Sequence, residues 1–194
     1  ITINATTGAF TYTPTAAARH AAASVSGTDA TDSFTVTVTD GYGASVPVTV
    51  TVNIVATNTA PTLSVTTGSP NPTTGVVTGK VTGTDANGDT LTYSAPASTG
   101  KGTITIDPST GAYIYTPTAA ARHAAASTTA TAADKADSFT VTVTDGYGAS
   151  VPITLSVTVR PANTAPTRSG TTGSTASSPG EVAGNTSNSI PSPA

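Results

Sequence analysis

Residues 137–159 read DSFTVTVTDGYGASVPITLSVTV. Phe139, Val141 and Val143 alternate with threonine before the turn, and Val151, Ile153, Leu155, Val157 and Val159 keep the same alternation after it. Period-two patterning with β-branched residues is the mark of strands buried on one face. Between the runs stands Asp145-Gly146-Tyr147-Gly148, and Asp-Gly favours a hairpin because these residues accept positive φ. The stretch predicts a long β-hairpin. The chain holds it twice, since residues 32–47 are identical to residues 137–152.

The duplication reaches further. Residues 1–24, ITINATTGAFTYTPTAAARHAAAS, match residues 104–127, ITIDPSTGAYIYTPTAAARHAAAS, and NTAPT recurs at Asn58 and Asn163 with a period of 105 residues. That is the size of one β-sandwich domain. The complete unit is residues 58–162. Seven strands are expected in it, at 63–67, 76–82, 90–95, 103–106 and 112–116 and in the two arms of the hairpin. Leu63, Val65, Val77, Val81, Leu91, Tyr93, Tyr113 and Tyr115 are expected inward. Short strands punctuated by Gly, Pro, Asn and Asp, without alternating long helices, predict an all-β, seven-strand immunoglobulin-like β-sandwich in tandem repeat.

Residues 1–57 are expected to be the C-terminal part of a truncated first repeat, without counterparts of the first three strands. Their inner face and strand edge are expected to be open. The parent protein is expected to continue N-terminally, with this segment partly ordered or paired with another chain. Residues 163–194 are rich in Ser, Gly, Thr and Pro and read as a low-complexity, disordered tail. The tail echoes the repeat start, but Leu63, Val65 and Val76 are replaced by Arg168, Gly170 and Glu181, as in a vestigial third repeat.

The Ala-rich residues 116–127, like 13–24, lean helical but are too short for an independent helix. One or two helical turns are expected between the fifth and sixth strands. Arg122 and His123, with Arg19 and His20 before them, are expected to bond local carbonyls (Arg) and to pack or face solvent (His). One histidine per repeat, without a neighbouring carboxylate, makes a poor metal or catalytic site.

Composition excludes several classes. The 194 residues carry a net charge of −3 with only 9% charged residues, which leaves no nucleic-acid footprint and no polybasic membrane anchor. No apolar run approaches the roughly 20 residues that span a bilayer, so no membrane insertion is expected. Cysteine is absent, so no disulfide can form. The 45 threonines suit the solvent faces of strands and also offer O-glycosylation acceptors. Lys80, Lys101 and Lys135 are candidate partners for an intramolecular isopeptide bond. No nucleophile elbow, metal-spaced histidines or phosphate loop occurs, so no enzyme is expected.

One constellation suggests chemistry: Asp85-Ala86-Asn87-Gly88-Asp89. Carboxylate and amide oxygens around a glycine turn suit calcium, which takes six to eight oxygen ligands. In a sandwich this loop, the hairpin turn with Asp145 and the entering linker with Asn58 share one end. Asp32 and the Ala-rich crossover of the preceding unit are expected to face them. The alternative is that Asp, Asn and Gly are simply turn formers.

NTAPT, then VTGTDANGDTLTYS, then ITIDPSTGAYIYTP and DSFTVTVTDGYG together resemble the bacterial cadherin-like/VCBS-type immunoglobulin-like repeats of large surface or secreted adhesins. The TPTAAARHAAAS variant looks actinobacterial, particularly mycobacterial. The resemblance covers residues 1–167. It implies a cadherin-like sandwich, an extracellular or cell-surface location, end-to-end contact with neighbouring repeats and calcium stiffening of the linkers. Carried over by motif, the calcium candidates are Asp85, Asp89, Asn58 and Asp145. Asn87 stands where a second acid is common, and the linker lacks flanking acids, so a calcium-free repeat stays open. Two functions compete: a structural spacer or stalk, and a module binding a carbohydrate or host-protein ligand. Tyr42 and Tyr147, at the hairpin tips, would contact such a ligand or else cover the domain junction.

Overall fold

The structure, a computed structural model, describes residues 1–171 and 185–188. In chain order the first unit contains β1 (Thr2–Ile3), β2 (Phe10–Thr11), α1 (Ala16–Ala21), β3 (Thr31–Thr39) and β4 (Ser45–Asn53). The second contains β5 (Thr62–Thr67), β6 (Val77–Thr84), β7 (Thr92–Ser94), β8 (Gly102–Ile106), β9 (Ala112–Pro117), α2 (Ala119–Ala125), β10 (Ala136–Thr144) and β11 (Ser150–Thr158). A last ladder pairs β12 (Arg168–Thr171) with β13 (Asn185–Asn188). The rest of the tail lies outside the described residues, and with it most of the low-complexity reading.

The second unit is an all-β sandwich. One sheet has the order β5-β6-β9-β8, the other β11-β10-β7, and all pairings are antiparallel. This is the two-sheet distribution of a seven-strand immunoglobulin domain. The alternation decides it: Phe139 pairs with Leu155, Val141 with Ile153 and Val143 with Val151, and the inward members close a core with Val77, Val81, Tyr93, Ile104, Tyr113, Tyr115 and Val157. Fully burying one such side chain stabilises by about 1.5–3 kcal/mol. Leu63, Val65 and Leu91 pack at the core's margin. The third strand is shorter than the sequence suggests, because β7 pairs with β10 only through Thr92–Ser94.

In the first unit β1 pairs with β2 and β3 with β4. These correspond to β8–β9 and β10–β11, two strands from each sheet. Their aromatic geometry is conserved between units: Phe10 meets Phe34 edge-on and Tyr12 stacks on it, as Tyr113 and Tyr115 do on Phe139. Burial is not conserved. Phe10 is 43% exposed and Tyr113 only 1%, because the described residues place no counterpart of β5–β7 over Phe10. Ile1, Ile3, Val38, Val46 and Val48 are exposed as well.

The short helices form where the fifth-to-sixth crossover was expected to turn helical. Thr15 and Thr118 cap them, each Oγ1 accepting an N–H three residues on, from Ala18 and Ala121. Capping of this kind contributes about 1 kcal/mol, and alanine costs nothing in helix propensity. Each arginine then ties its helix to the outgoing linker. Arg19 Nε donates to Val55 O at 3.1 Å and Arg19 O accepts from Thr57 N at 2.9 Å. Arg122 repeats this with Arg160 O and Ala162 N, and also donates to the carbonyls of Thr73 and Thr74. Lys101 Nζ is engaged by the carbonyls of Ala133 and Ala136.

Candidate cation site at the junction of the two units

The turn after β10 builds itself. Asp145 Oδ1 accepts from the N–H groups of Tyr147 (2.8 Å) and Ala149 (3.1 Å), and the positive φ falls on Gly146 and Gly148. Asp40 makes the same two bonds in the first unit, at 2.9 Å each. The turn is thus local sequence chemistry, wider than a two-residue hairpin. The loop after β6 is organised likewise: Asp85 Oδ1 accepts from Asn87 N (2.7 Å) and Asp89 N (3.3 Å). Gly88, at φ +84°, makes the reversal, in a region that only glycine enters at little cost.

The linker joins these loops. Asn58 Nδ2 donates to Asp145 Oδ2 at 2.6 Å and lies 3.4 Å from Tyr147 O, while Thr59 N donates to Asn87 Oδ1 at 3.0 Å. Ligand oxygens of Asp85, Asp89 and Asp145 consequently lie within 4.8 Å of one another, the one such acidic or histidine cluster among the described residues. Asp145 is 2% exposed. Burial pushes its carboxyl up, but the bonds from Asn58, Tyr147 and Ala149 outweigh that and hold it below the usual carboxylate range.

Three oxygens of these residues are buried without a donor: Asp85 Oδ2, Asp89 Oδ2 and Asn58 Oδ1. A buried acceptor left unsatisfied costs about 1–3 kcal/mol, more when charged, and like charges so close repel. A hard cation would relieve both penalties, and an all-oxygen donor set is the kind calcium takes. The residues present fit it.

The preceding unit reaches the site through α1. His20 Nε2 lies 2.8 Å from Asp89 Oδ1, and the imidazole packs on the Tyr147 ring with centroids 4.2 Å apart. His20 was not legible as a site residue. Its local sequence recurs around His123, which is exposed, so no local signal separates the two.

Asp32 does not join the cluster, and its expected place at the junction is corrected. Its carboxylate accepts from Tyr12 Oη at 2.7 Å and from Ser33 N, inside its own unit. The tyrosine ahead of the crossover, just after β2, faces the start of β3, and Asp137 repeats the bond with Tyr115 of β9 at 2.8 Å. Of the two hairpin-tip tyrosines, Tyr147 sits in the junction and Tyr42 is fully exposed.

The family model of the bacterial cadherin-like domain matches residues 58–161, and that of the bacterial Ig domain matches residues 1–53. No curated protein matches the chain.

Proposed function

Because the chain belongs to the bacterial cadherin-like domain family, we propose that it is a spacer repeat of a surface or secreted adhesin-type protein, stiffened by calcium at the junction between units. The observation that carries this reading is the junction cluster: three carboxylates and the linker amide Asn58, with three buried oxygens unpartnered. Asp85, Asp89, Asp145 and Asn58 would hold the ion. When bound, it supplies the positive charge that offsets the clustered carboxylates and clamps the linker to the two loops. Tandem modules of this kind behave as quasi-one-dimensional rods, each contacting its neighbours. Tyr147 favours the spacer over the ligand-binding reading, since its ring covers the junction against His20.

The test is a thermal melt of the whole chain in EDTA and in millimolar calcium. Extracellular calcium modules bind at roughly 10⁻⁴–10⁻³ M, and a ten-fold excess over the dissociation constant stabilises by about 1.4 kcal/mol. For a domain of this size that is a shift of roughly 4–8 °C. Superimposable melts at 10 mM calcium and in EDTA would leave a calcium-free spacer.

A further inference from the structure

We propose that His20 is a positioning residue for the junction site, and that through it cation binding by one repeat is coupled to the docking of the repeat before it. This rests on the cation reading above.

Asp89 divides its two oxygens. Oδ1 faces His20 Nε2 at 2.8 Å, and Oδ2 is buried with no donor. The Asp89 side chain is 7% exposed, so the imidazole is what fixes the carboxylate's rotation and leaves Oδ2 for a cation. Loss of a group that orients a metal ligand in this way typically costs about 10–100-fold in metal affinity. The same imidazole packs on Tyr147. The backbone of Tyr147 is already part of the site, its N–H on Asp145 Oδ1 and its carbonyl facing Asn58 Nδ2.

His20 is also tied to the linker. Arg19 O accepts from Thr57 N, so the residues that follow in the helix and in the linker, His20 and Asn58, enter the site side by side. The clamp recurs between Arg122 and Ala162, yet His123 is exposed. The clamp is therefore intrinsic to each repeat, and the contact with an acidic loop is what distinguishes His20. Coupling of two binding events is reciprocal: if docked His20 tightens the site, a bound cation tightens the docking.

The chain has two histidines, His20 and His123, which makes the test direct. Imidazole NMR signals are followed through a calcium titration of the full chain, with affinities measured calorimetrically for wild type, His20→Ala, His20→Phe and His20→Gln. Melts in EDTA verify that each variant folds. The expected result is that His20 signals shift in proportion to calcium bound while those of His123 stay still. Calcium affinity should fall about ten-fold or more in His20→Ala and His20→Phe and recover in part in His20→Gln, whose amide N–H can reach the carboxylate. Full affinity in His20→Phe would make the contact one of packing and overturn the positioning role. Unchanged affinity in all variants, with His20 signals blind to calcium, would overturn the coupling and leave the site standing. No calcium uptake by wild type would overturn the cation reading itself, and the coupling with it.

Discussion

His20 and Asp89 are 69 residues apart in the chain and meet at 2.8 Å between Nε2 and Oδ1. The contact joins the capped helix of one repeat to the Asp-rich loop of the next, at the place where Asn58 enters from the linker. It explains why identical sequences have different fates. His20 is half-buried and His123 exposed, although both stand in TPTAAARHAAAS.

The clustered carboxylates give a prediction whose sign depends on the solvent. Asp85→Asn keeps an acceptor for the N–H groups of Asn87 and Asp89 but removes one of three charges within 4.8 Å. In EDTA the variant should be more stable than wild type by about 1 kcal/mol, since close like charges repel by at least that much near a protein surface. In 10 mM calcium the order should reverse, because wild type alone gains the ion. A lower melting temperature in EDTA would show that Asp85 is needed for its turn and not strained by its neighbours.

Gly111 and Gly8 occupy equivalent turns, both at φ +71°. A Cβ at Gly111 would lie 2.2 Å from Val81 O and 2.9 Å from Tyr93 Cε1, while at Gly8 it would meet nothing within 4 Å. Left-handed backbone alone costs roughly 1–2 kcal/mol for an L-residue. Gly8→Ala should cost no more than that, and Gly111→Ala about 3 kcal/mol or more, with overpacking added. Urea denaturation of the two variants compares them, and equal effects would count against the packing difference.

Tyr147 and Tyr42 are also equivalent in sequence. Tyr42→Ala should leave the melt unchanged, as a substitution at a fully exposed site usually stays within about 0.5 kcal/mol. Tyr147→Ala removes the ring beneath His20 and should cost about 0.5–1.5 kcal/mol. It should also move the His20 NMR signals toward those of His123. Coincident His20 signals in wild type and variant would exclude the ring contact in solution.

Tyr115 supplies a pH dependence. Burial, and then the hydrogen bond and negative charge of Asp137, push its phenol well above the ordinary tyrosine value. A folded-state value raised above the unfolded one contributes stability that is complete below the unfolded pKa, near 10, and is lost as pH climbs toward the folded value. Stability should therefore decline above about pH 10, and less steeply in Tyr115→Phe. Denaturant midpoints between pH 8 and pH 11.5 measure it, and parallel profiles would remove Tyr115 as the cause.

Much of this protein was legible in one dimension. Period-two alternation placed the strands and their inward faces, because a pleated strand turns successive side chains to opposite sides. Ala placed the helical turns, and Asp and Gly placed the hairpin turns, which Asp145 and Asp40 form alike from their own neighbours. The internal identity set the repeat. These are short-range effects, and sequence carries short-range information well. Only the tertiary structure decided which acids share a site. Asp32 is drawn to Tyr12, and Asp137 to Tyr115, by a contact from one sheet to the other that composition does not reveal. Asp145 is buried where Asp40 is not, since only Asp145 has Asn58 and the Asp85–Asp89 loop around it. His20 became part of the junction because one repeat packs on the next. An electrostatic contact depends on distance in space, and two identical segments acquire different chemistry once different neighbours fold against them.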